Sequence, residues 1–312
     1  SNNTATGRTA LFVNTTGSYN TATGYDSLRS NTVGYSNTAV GVSSLYNNTT
    51  GFNNIAMGRN ALENNTTGYS NTALGRNTLN SNTTGIENTA VGQSSLTHNT
   101  TGASNVAVGL IALRDNTTGH SNTVVGRSAM YVNTTGNENT TVGKFSLALN
   151  TTGNQNTAIG INALYANTTG LYNTGLGSLA LQNNTQGNYN TGVGFNANSS
   201  SSASTGQVTL GDTHVSSLRC NDTTISSLSD VRDKTDIIDS PYGLDFINTI
   251  KPKQYKWETR DGNVKDGSTR IGFIAQDLLE ACQGENDKLD LVMIDNPEKL
   301  EAKYGNLLPI MV

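Results

Sequence analysis

The stretch NTTGIENTAVGQSSLTH at residues 82–98 is followed directly by NTTGASNVAVGLIALRD at residues 99–115, which repeats its pattern position by position. The NxxG opening recurs every 17 residues from Asn14 to Asn184, eleven times without an insertion. Each unit then carries a second Asn, a second Gly and a Leu or Met. Repeats of strictly fixed length stack so that each unit touches only its neighbours, so the sequence predicts a solenoid.

The coils are predicted to be β, because two glycines and a Thr/Asn cluster in each unit leave no apolar stripe at helical spacing. In the NTAVG segment, side chains alternate, so the Thr and Val columns share one strand face and the Ala column takes the other. Both faces are small or aliphatic, although a coil has only one interior. We therefore expect one face to contact a partner chain, and the small Ala column (Ala39, Ala56, Ala73, Ala90, Ala107) allows that close approach.

The NTTG segment is predicted to form the turn of each coil. Gly provides a residue with positive φ, and the Asn side chain bonds the backbone or stacks into a ladder with the Asn of the next coil.

Composition divides the chain near residue 229. The first 228 residues hold 15 charged residues, whereas the last 84 hold 27, with all four prolines and the only tryptophan, Trp257. We predict a mainly β protein: a parallel β-solenoid or β-roll shaft over residues 1–200, a neck with short strands over 201–228, and a small α+β domain over 229–312.

Within the last domain, Ser240-Pro241 predicts a helix start, with Leu244, Ile247 and Ile250 on one face. Further patterns predict a strand at 254–258, a turn at Asp266-Gly267, a helix at 273–284, a strand at 289–294 and a last helix at 298–308. In the neck, VTLG and VSSLRC predict short strands.

Composition also excludes several functions. A net charge of −4 argues against nucleic acid, which requires clustered Lys and Arg. No apolar run approaches the roughly 18 residues of a membrane span, so no membrane insertion is expected. Cys220 and Cys282 have no Cys or His companions at ligand spacing, which predicts free thiols, no metal and no cofactor. Residues 1–228 hold only seven acids, and no pair of them repeats from coil to coil, so no glycosidase carboxylate pair is expected.

The variable positions after NxxG carry several aromatic residues, which either stack on the sugar rings of a host-surface glycan or stack on one another as a structural ladder. They are Tyr19, Tyr35, Phe52, Tyr69, Tyr172 and Tyr189. Regular Thr columns raise ice binding as a rival function, but a Thr column beside buried Val is not the flat, uninterrupted array that it requires.

The repeat, with NTAVG followed by (S/A)L, resembles the β-roll heads of trimeric autotransporter adhesins and, more closely, the repeat shafts of viral tail fibres. This resemblance implies a homotrimer that attaches to a host receptor.

The last domain has a second resemblance. It carries SDVRDK at residues 229–234, PKQYKW at 252–257, GFIAQ at 272–276 and YGNLLP at 304–309. These motifs resemble the intramolecular chaperone domain of phage tailspikes and endosialidases. The resemblance implies a serine endopeptidase that helps an elongated trimer to fold and then cuts itself off. It also implies a trailing helical segment that is missing from this sequence.

Carried onto this sequence, the resemblance makes Ser229 the nucleophile, Lys234 the base and Leu228–Ser229 the bond that breaks, with Asp230 and Arg232 in support. A lysine acts as a base only when neutral, which requires burial or a cationic neighbour such as Arg232 to lower its pKa. On a regular helix, Ser229 and Lys234 would lie about 140° apart. The pair therefore needs a bent backbone or a second chain. By composition alone, the segment is a solvated run of charges.

The leading interpretation is a viral tail fibre or tailspike protein of the virion, made in the host cytoplasm. The alternatives are a bacterial trimeric surface adhesin, which a secretion signal or anchor in the full gene would favour, and a fibre segment that serves only as a spacer.

Overall fold

The computed structural model describes residues 2–215, 217–219, 232, 234–258, 265–298, 300–303 and 306–307. The chain forms two compact units, Ser1–Asp212 and Thr213–Val312. In the described residues, no helix is long and apolar enough to cross a membrane.

The first unit is a parallel β-solenoid with one three-residue strand in each coil. Its described residues form a single sheet of thirteen strands in chain order, and each paired residue lies 17 positions from its partner, as Thr38 does from Ile55. The predicted solenoid is therefore confirmed. The strands are β1 Thr4–Thr6, β2 Thr21–Thr23, β3 Thr38–Val40, β4 Ile55–Met57, β5 Thr72–Leu74, β6 Thr89–Val91, β7 Val106–Val108, β8 Thr123–Val125, β9 Thr140–Val142, β10 Thr157–Ile159, β11 Thr174–Leu176, β12 Thr191–Val193 and β13 Val208–Leu210.

The interior of each coil is filled by the Ala column and by a Leu from the following turn. Ala39 and Ala56 are fully buried and belong to one apolar cluster with Leu45 and Leu62. The prediction that the Ala column contacts a partner chain is therefore wrong, because its small side chains leave the space that Leu occupies. The Thr and aliphatic columns lie on the outside of the coil instead.

The Leu of each coil lies in the left-handed region, with φ of 52° at both Leu45 and Leu62. This conformation costs roughly 1–2 kcal/mol for a residue with a Cβ. Complete burial of a Leu side chain contributes about 1.5–3 kcal/mol, which offsets that cost. The strain is thus tolerated because it points the side chain into the coil.

Two kinds of glycine serve different purposes. Gly24, which follows the strand, has a φ of 138°. Gly34, in the NTTG-type turn, is not among the residues with positive φ. A Cβ on Gly34 would instead overlap the Asn31 side chain and the Gly51 carbonyl oxygen of the next coil. The predicted positive φ in this turn is therefore wrong, and close packing between coils explains the glycine.

Two ladders of buried asparagines run through the stack. In the first, Asn48 Nδ2 donates to Asn31 Oδ1 at 2.8 Å and to the Gly51 carbonyl at 3.0 Å. In the second, the Asn54 backbone N–H donates to Asn37 Oδ1 at 3.0 Å, and Asn54 Nδ2 donates to the Gly68 carbonyl at 2.9 Å. These bonds confirm that the Asn side chains both cap the backbone and stack as ladders.

The strand predicted at VTLG forms as β13, but it pairs with β12 as a further rung of the shaft. The backbone N–H of Gln207 donates to Asn190 Oδ1 at 3.0 Å, which continues the second ladder into this rung. Val215 and the described residues 217–219 are not in a strand, so the second neck strand is not found there.

The second unit is a small α+β arrangement, as predicted. Its described elements are α1 Leu244–Ile247, β14 Lys253–Glu258, β15 Lys265–Gly272, α2 Ala275–Ala281, α3 Asn286–Leu289, β16 Val292–Met293 and β17 Glu301–Ala302. Strands β14 and β15 pair antiparallel, as do β16 and β17. The core contains Leu278, Leu289, Leu291 and Val292.

Three local predictions in this unit differ from the structure. The helix predicted from Ser240 begins only at Leu244, because Ser240 Oγ accepts a bond from the Tyr242 N–H and forms a local turn. Asp266 and Gly267 lie within β15 rather than at a turn. The helix predicted over 298–308 is replaced at Glu301–Ala302 by β17, which gains a partner in β16.

Thr141 occupies the Ala column of β9, and among the described residues its Oγ1 is one of two buried side-chain oxygens without a hydrogen-bond partner. Thr141→Val keeps the shape and removes the hydroxyl, so we expect the free energy of unfolding to rise by about 1–3 kcal/mol. Guanidinium unfolding of the full chain measures this. Thr135→Val, at an exposed site, should change it by less than about 0.5 kcal/mol. A less stable Thr141→Val protein would contradict the prediction.

Candidate functional site

The predicted processing residues fall in two groups. Leu228, Ser229 and Asp230 lie outside the described residues, so their part in a site stays a prediction. Arg232 and Lys234 are described, and both are exposed in the single chain. The burial that would favour a neutral lysine is therefore not provided around Lys234 by the described residues of one copy.

Two of the four motifs are neighbours in the structure. PKQYKW contributes β14 and GFIAQ begins at the end of β15, where Lys253 pairs with Gly272 in the sheet register. Lys253 Nζ lies 3.7 Å from Asp277 Oδ2 at the start of α2. These residues line a cleft together with Phe273 and Leu278. Residues that are distant in sequence thus form one wall of the unit.

The YGNLLP motif packs into the same unit through its described residues. Leu307 is buried in the core, and Asn306 Nδ2 donates to the Asp290 carbonyl at 2.7 Å. A second cleft is lined by Ile238 and Tyr242 on one side and by Asn306 on the other. The described part of the motif therefore lines the same cleft as the segment that follows Lys234.

Asn286 joins the start of α3 to β16, and no sequence pattern predicts this contact. Its side chain is buried, Nδ2 donates to the Val292 carbonyl at 2.9 Å, and Oδ1 accepts from the Val292 N–H at 3.1 Å. An Asn at the start of a short helix is a common cap, so the sequence holds no signal for this longer contact.

Cys282 lies beside Asn286 and is a free thiol, as predicted, whereas Cys220 is outside the described residues. Burial raises the pKa of the Cys282 thiol, which favours the unreactive protonated form. In the part of the chain that is described, no group of three His, Cys, Asp or Glu residues is placed to hold a metal ion.

Several large apolar side chains of the second unit face outward. Ile237 and Ile238 are 63% and 83% exposed, Leu244 is 74% exposed and Ile271 is 77% exposed. Two adjacent isoleucines with this exposure are unusual in a unit that functions as a single copy. They give the described part of this unit an apolar surface.

The aromatic residues of the shaft stack on one another. The rings of Tyr35 and Phe52 lie 4.9 Å apart, those of Phe52 and Tyr69 lie 4.7 Å apart, and those of Tyr172 and Tyr189 lie 4.8 Å apart, all nearly parallel. Each of these five rings is therefore covered on at least one face by a neighbouring ring. This arrangement favours the structural ladder over a row of open platforms for sugars.

A charged cluster on the shaft has the character of a surface ion pair. Arg114 donates to both carboxylate oxygens of Asp115 at 2.7 and 2.6 Å, and His98 Nδ1 lies 2.8 Å from Asp115 Oδ1. The hydrogen bonds from Arg114 lower the pKa of Asp115. Neighbouring coils carry no comparable set, so the cluster is local.

Residues 229–286 match the family model described as chaperone of endosialidase. The match begins at Ser229, where the composition changes, and ends at the first residue of α3. It confirms the second resemblance. No curated protein and no solved structure matched the chain.

Asn286→Leu would leave the buried Val292 N–H and carbonyl without their side-chain partner, at a cost of about 1–3 kcal/mol for each unsatisfied group. We expect faster hydrogen exchange in α3 and β16 but unchanged exchange in the shaft. The adjacent Asp287→Asn, at an exposed site, is the matched control and should leave both units unchanged. Unchanged protection of Val292 in Asn286→Leu would be inconsistent with this role.

Proposed function

We propose that this protein is a fibre or tailspike-like protein whose last domain is an intramolecular chaperone that aligns three copies and then cleaves itself off before Ser229. The observation that carries the proposal is the family match, which begins at Ser229, on the carboxyl side of a parallel β-solenoid shaft whose last strand ends at Leu210. A chaperone at this position acts on the chain that precedes it.

The shaft explains why a chaperone is useful. Its rungs are almost identical, and the same Asn and Gly contacts recur in every coil. A slip of one chain by 17 residues against its partners would therefore preserve almost all contacts between chains, which leaves their register weakly specified. The second unit has a diverse core and no repeat, so its association fixes the three chains in one register.

The reaction proposed for the processing site is an acyl shift from nitrogen to oxygen, followed by hydrolysis of the ester. Ser229 Oγ attacks the Leu228 carbonyl carbon, and its proton passes to neutral Lys234. The peptide nitrogen of Ser229 leaves as a protonated amine, and water then hydrolyses the ester at Leu228. In this proposal Arg232 and Asp230 support the pair from the same charged segment.

Assembly controls this reaction in our proposal. Lys234 is exposed in one copy, so burial by a second copy supplies the condition under which a lysine becomes a base. The exposed Ile237 and Ile238 follow it in sequence and provide apolar surface for such a contact. Cleavage would then occur only after the chains have been aligned.

The same proposal places the shaft in a virion, where it serves as a rigid spacer for host attachment. The stacking of Tyr35, Phe52 and Tyr69 favours a spacer over a glycan platform along these coils.

Ser229→Ala and Lys234→Ala should each give a single uncut band on a denaturing gel, because they remove the nucleophile and the base. The parent chain should give two bands, and the smaller should begin at Ser229 by amino-terminal sequencing. Ser240→Ala and Lys251→Ala, at exposed sites, are matched controls that should cut normally. Cleavage that persists in Ser229→Ala would assign the chemistry to another group.

Residues 1–228 expressed alone should aggregate or form out-of-register species, whereas the same fragment released by cleavage should be a trimer that resists heat and detergent. Cleavage removes the aligning domain, so unfolding is no longer reversible and the trimer persists for kinetic reasons. Light scattering and gels of unheated samples compare the two preparations. An equally resistant trimer, in similar yield from direct expression, would rule out the chaperone role.

A further inference from the structure

The outer face of the shaft sheet is formed by the two columns that point away from the coil interior. One is the Thr column, and the other is aliphatic from β3 onward. Met57, Val142 and Leu176 in the aliphatic column are 44%, 41% and 44% exposed. None of the described strands β1 to β13 contains a charged residue. The aliphatic column comprises Val40, Met57, Leu74, Val91, Val108, Val125, Val142, Ile159, Leu176, Val193 and Leu210.

This face is long and flat. Thirteen rungs at about 4.8 Å spacing and three residues at about 3.3 Å each give a strip roughly 58 Å by 10 Å, or about 580 Å². A standard interface buries roughly 800 Å² on each partner, so the flanking edges must contribute to a stable contact. The strip is at the upper end of the patch sizes found on monomeric proteins, and its aliphatic column runs beside the Thr column. The face fits a partner with a similarly flat and uncharged surface.

The two edges of the outer face differ in charge. The C-terminal edge, the residue after the strand glycine in each coil, carries Arg8, Arg59, Arg76, Arg127 and Lys144, and its one acid is Asp212 after the last strand. The N-terminal edge, the two residues before the second Asn, carries Glu87 and Glu138 and no Lys or Arg. The edges are complementary in sign.

Complementary residues also occur at the same rung. Glu138 and Lys144 flank β9, and Tyr69 and Arg76 flank β5. Within one chain, about 10 Å of strand separates the members of each pair. Glu138 accepts a bond from Gln155 Nε2 through Oε2, and Lys144 lies over the ring of Phe145. Neither forms an ion pair with the other inside the chain.

We propose that the outer face is the interface with two further copies of this chain, arranged in parallel around a threefold axis along the stack. Closed rotational symmetry allows no shift along the axis, so the C-terminal edge of one copy lies beside the N-terminal edge of the next at the same rung. Lys144 of one copy then pairs with Glu138 of its neighbour. The number three rests on the proposed function, whereas the choice of face rests on the shaft alone.

A cross-linking experiment tests the face. In the uncleaved Ser229→Ala background, Val142→Cys should be joined to a second chain by a short thiol-specific bis-maleimide, since identical residues near a threefold axis are close together. Val33→Cys is the matched control, because Val33 is 47% exposed but lies in the NTTG-type turn, and it should give only the background of the parent cysteines. Equal linking of both variants, or none of Val142→Cys in a trimeric protein, would overturn the assignment.

A charge exchange tests the edges. In the uncleaved Ser229→Ala background, Glu138→Lys and Lys144→Glu should each raise the dissociation constant of the trimer at least about tenfold by placing like charges together, and the double exchange should restore it. Light scattering against protein concentration measures this, and circular dichroism checks that the solenoid has formed. Trimers unaffected by either single change would refute the pairing. A monomeric parent would instead refute self-association, and with it both this interface and the chaperone proposal.

Discussion

The fold of the shaft depends on one requirement: each buried asparagine side chain needs a hydrogen-bond partner in the neighbouring coil. Each side-chain amide of the Asn48 ladder is satisfied only if the next coil presents its own Asn one rung away. A coil with one residue more or less would leave buried donors and acceptors unpaired, and each would cost about 1–3 kcal/mol. The strict period, the parallel register and the flat outer face all follow from this requirement.

Much of the shaft was predictable because the same residue types recur every 17 positions. The Asn spacing predicted the rung, whereas the Leu column was part of the repeat without being assigned to the core. The inward face of NTAVG was not predictable, because alternation defines two faces without saying which one is buried. That choice depends on residues such as Leu45, whose left-handed backbone turns its side chain into the coil interior, where the Ala column also lies. Residue propensities do not assign this conformation to leucine, so the decisive signal is absent from a local reading.

In the second unit, the sequence motifs were more informative than the patterns that predict individual helices and strands. Three of the four short motifs lie within residues 229–286, where the family model matches, yet several local elements were predicted wrongly. Helices of four residues have little intrinsic stability, so tertiary contacts decide whether they form. Pairing with β16 makes Glu301–Ala302 a strand, and the Ser240 turn delays α1. Of the candidate site, the sequence predicts residue types and order, whereas the exposure of Lys234 depends on what surrounds it in space.

The asparagine ladders also affect how the protein ages. Asparagine is the residue at which long-lived proteins most often fail chemically: the next backbone nitrogen attacks the side-chain carbonyl carbon, and ammonia is lost. At Asn65, Nδ2 donates to Asn48 Oδ1 and to the Gly68 carbonyl, and Oδ1 accepts from Asn82. The side chain is fully buried and cannot rotate into the geometry of attack without breaking three bonds. Each coil carries an asparagine in both ladders. The hydrogen bonds that stack the coils therefore also protect these asparagines from deamidation.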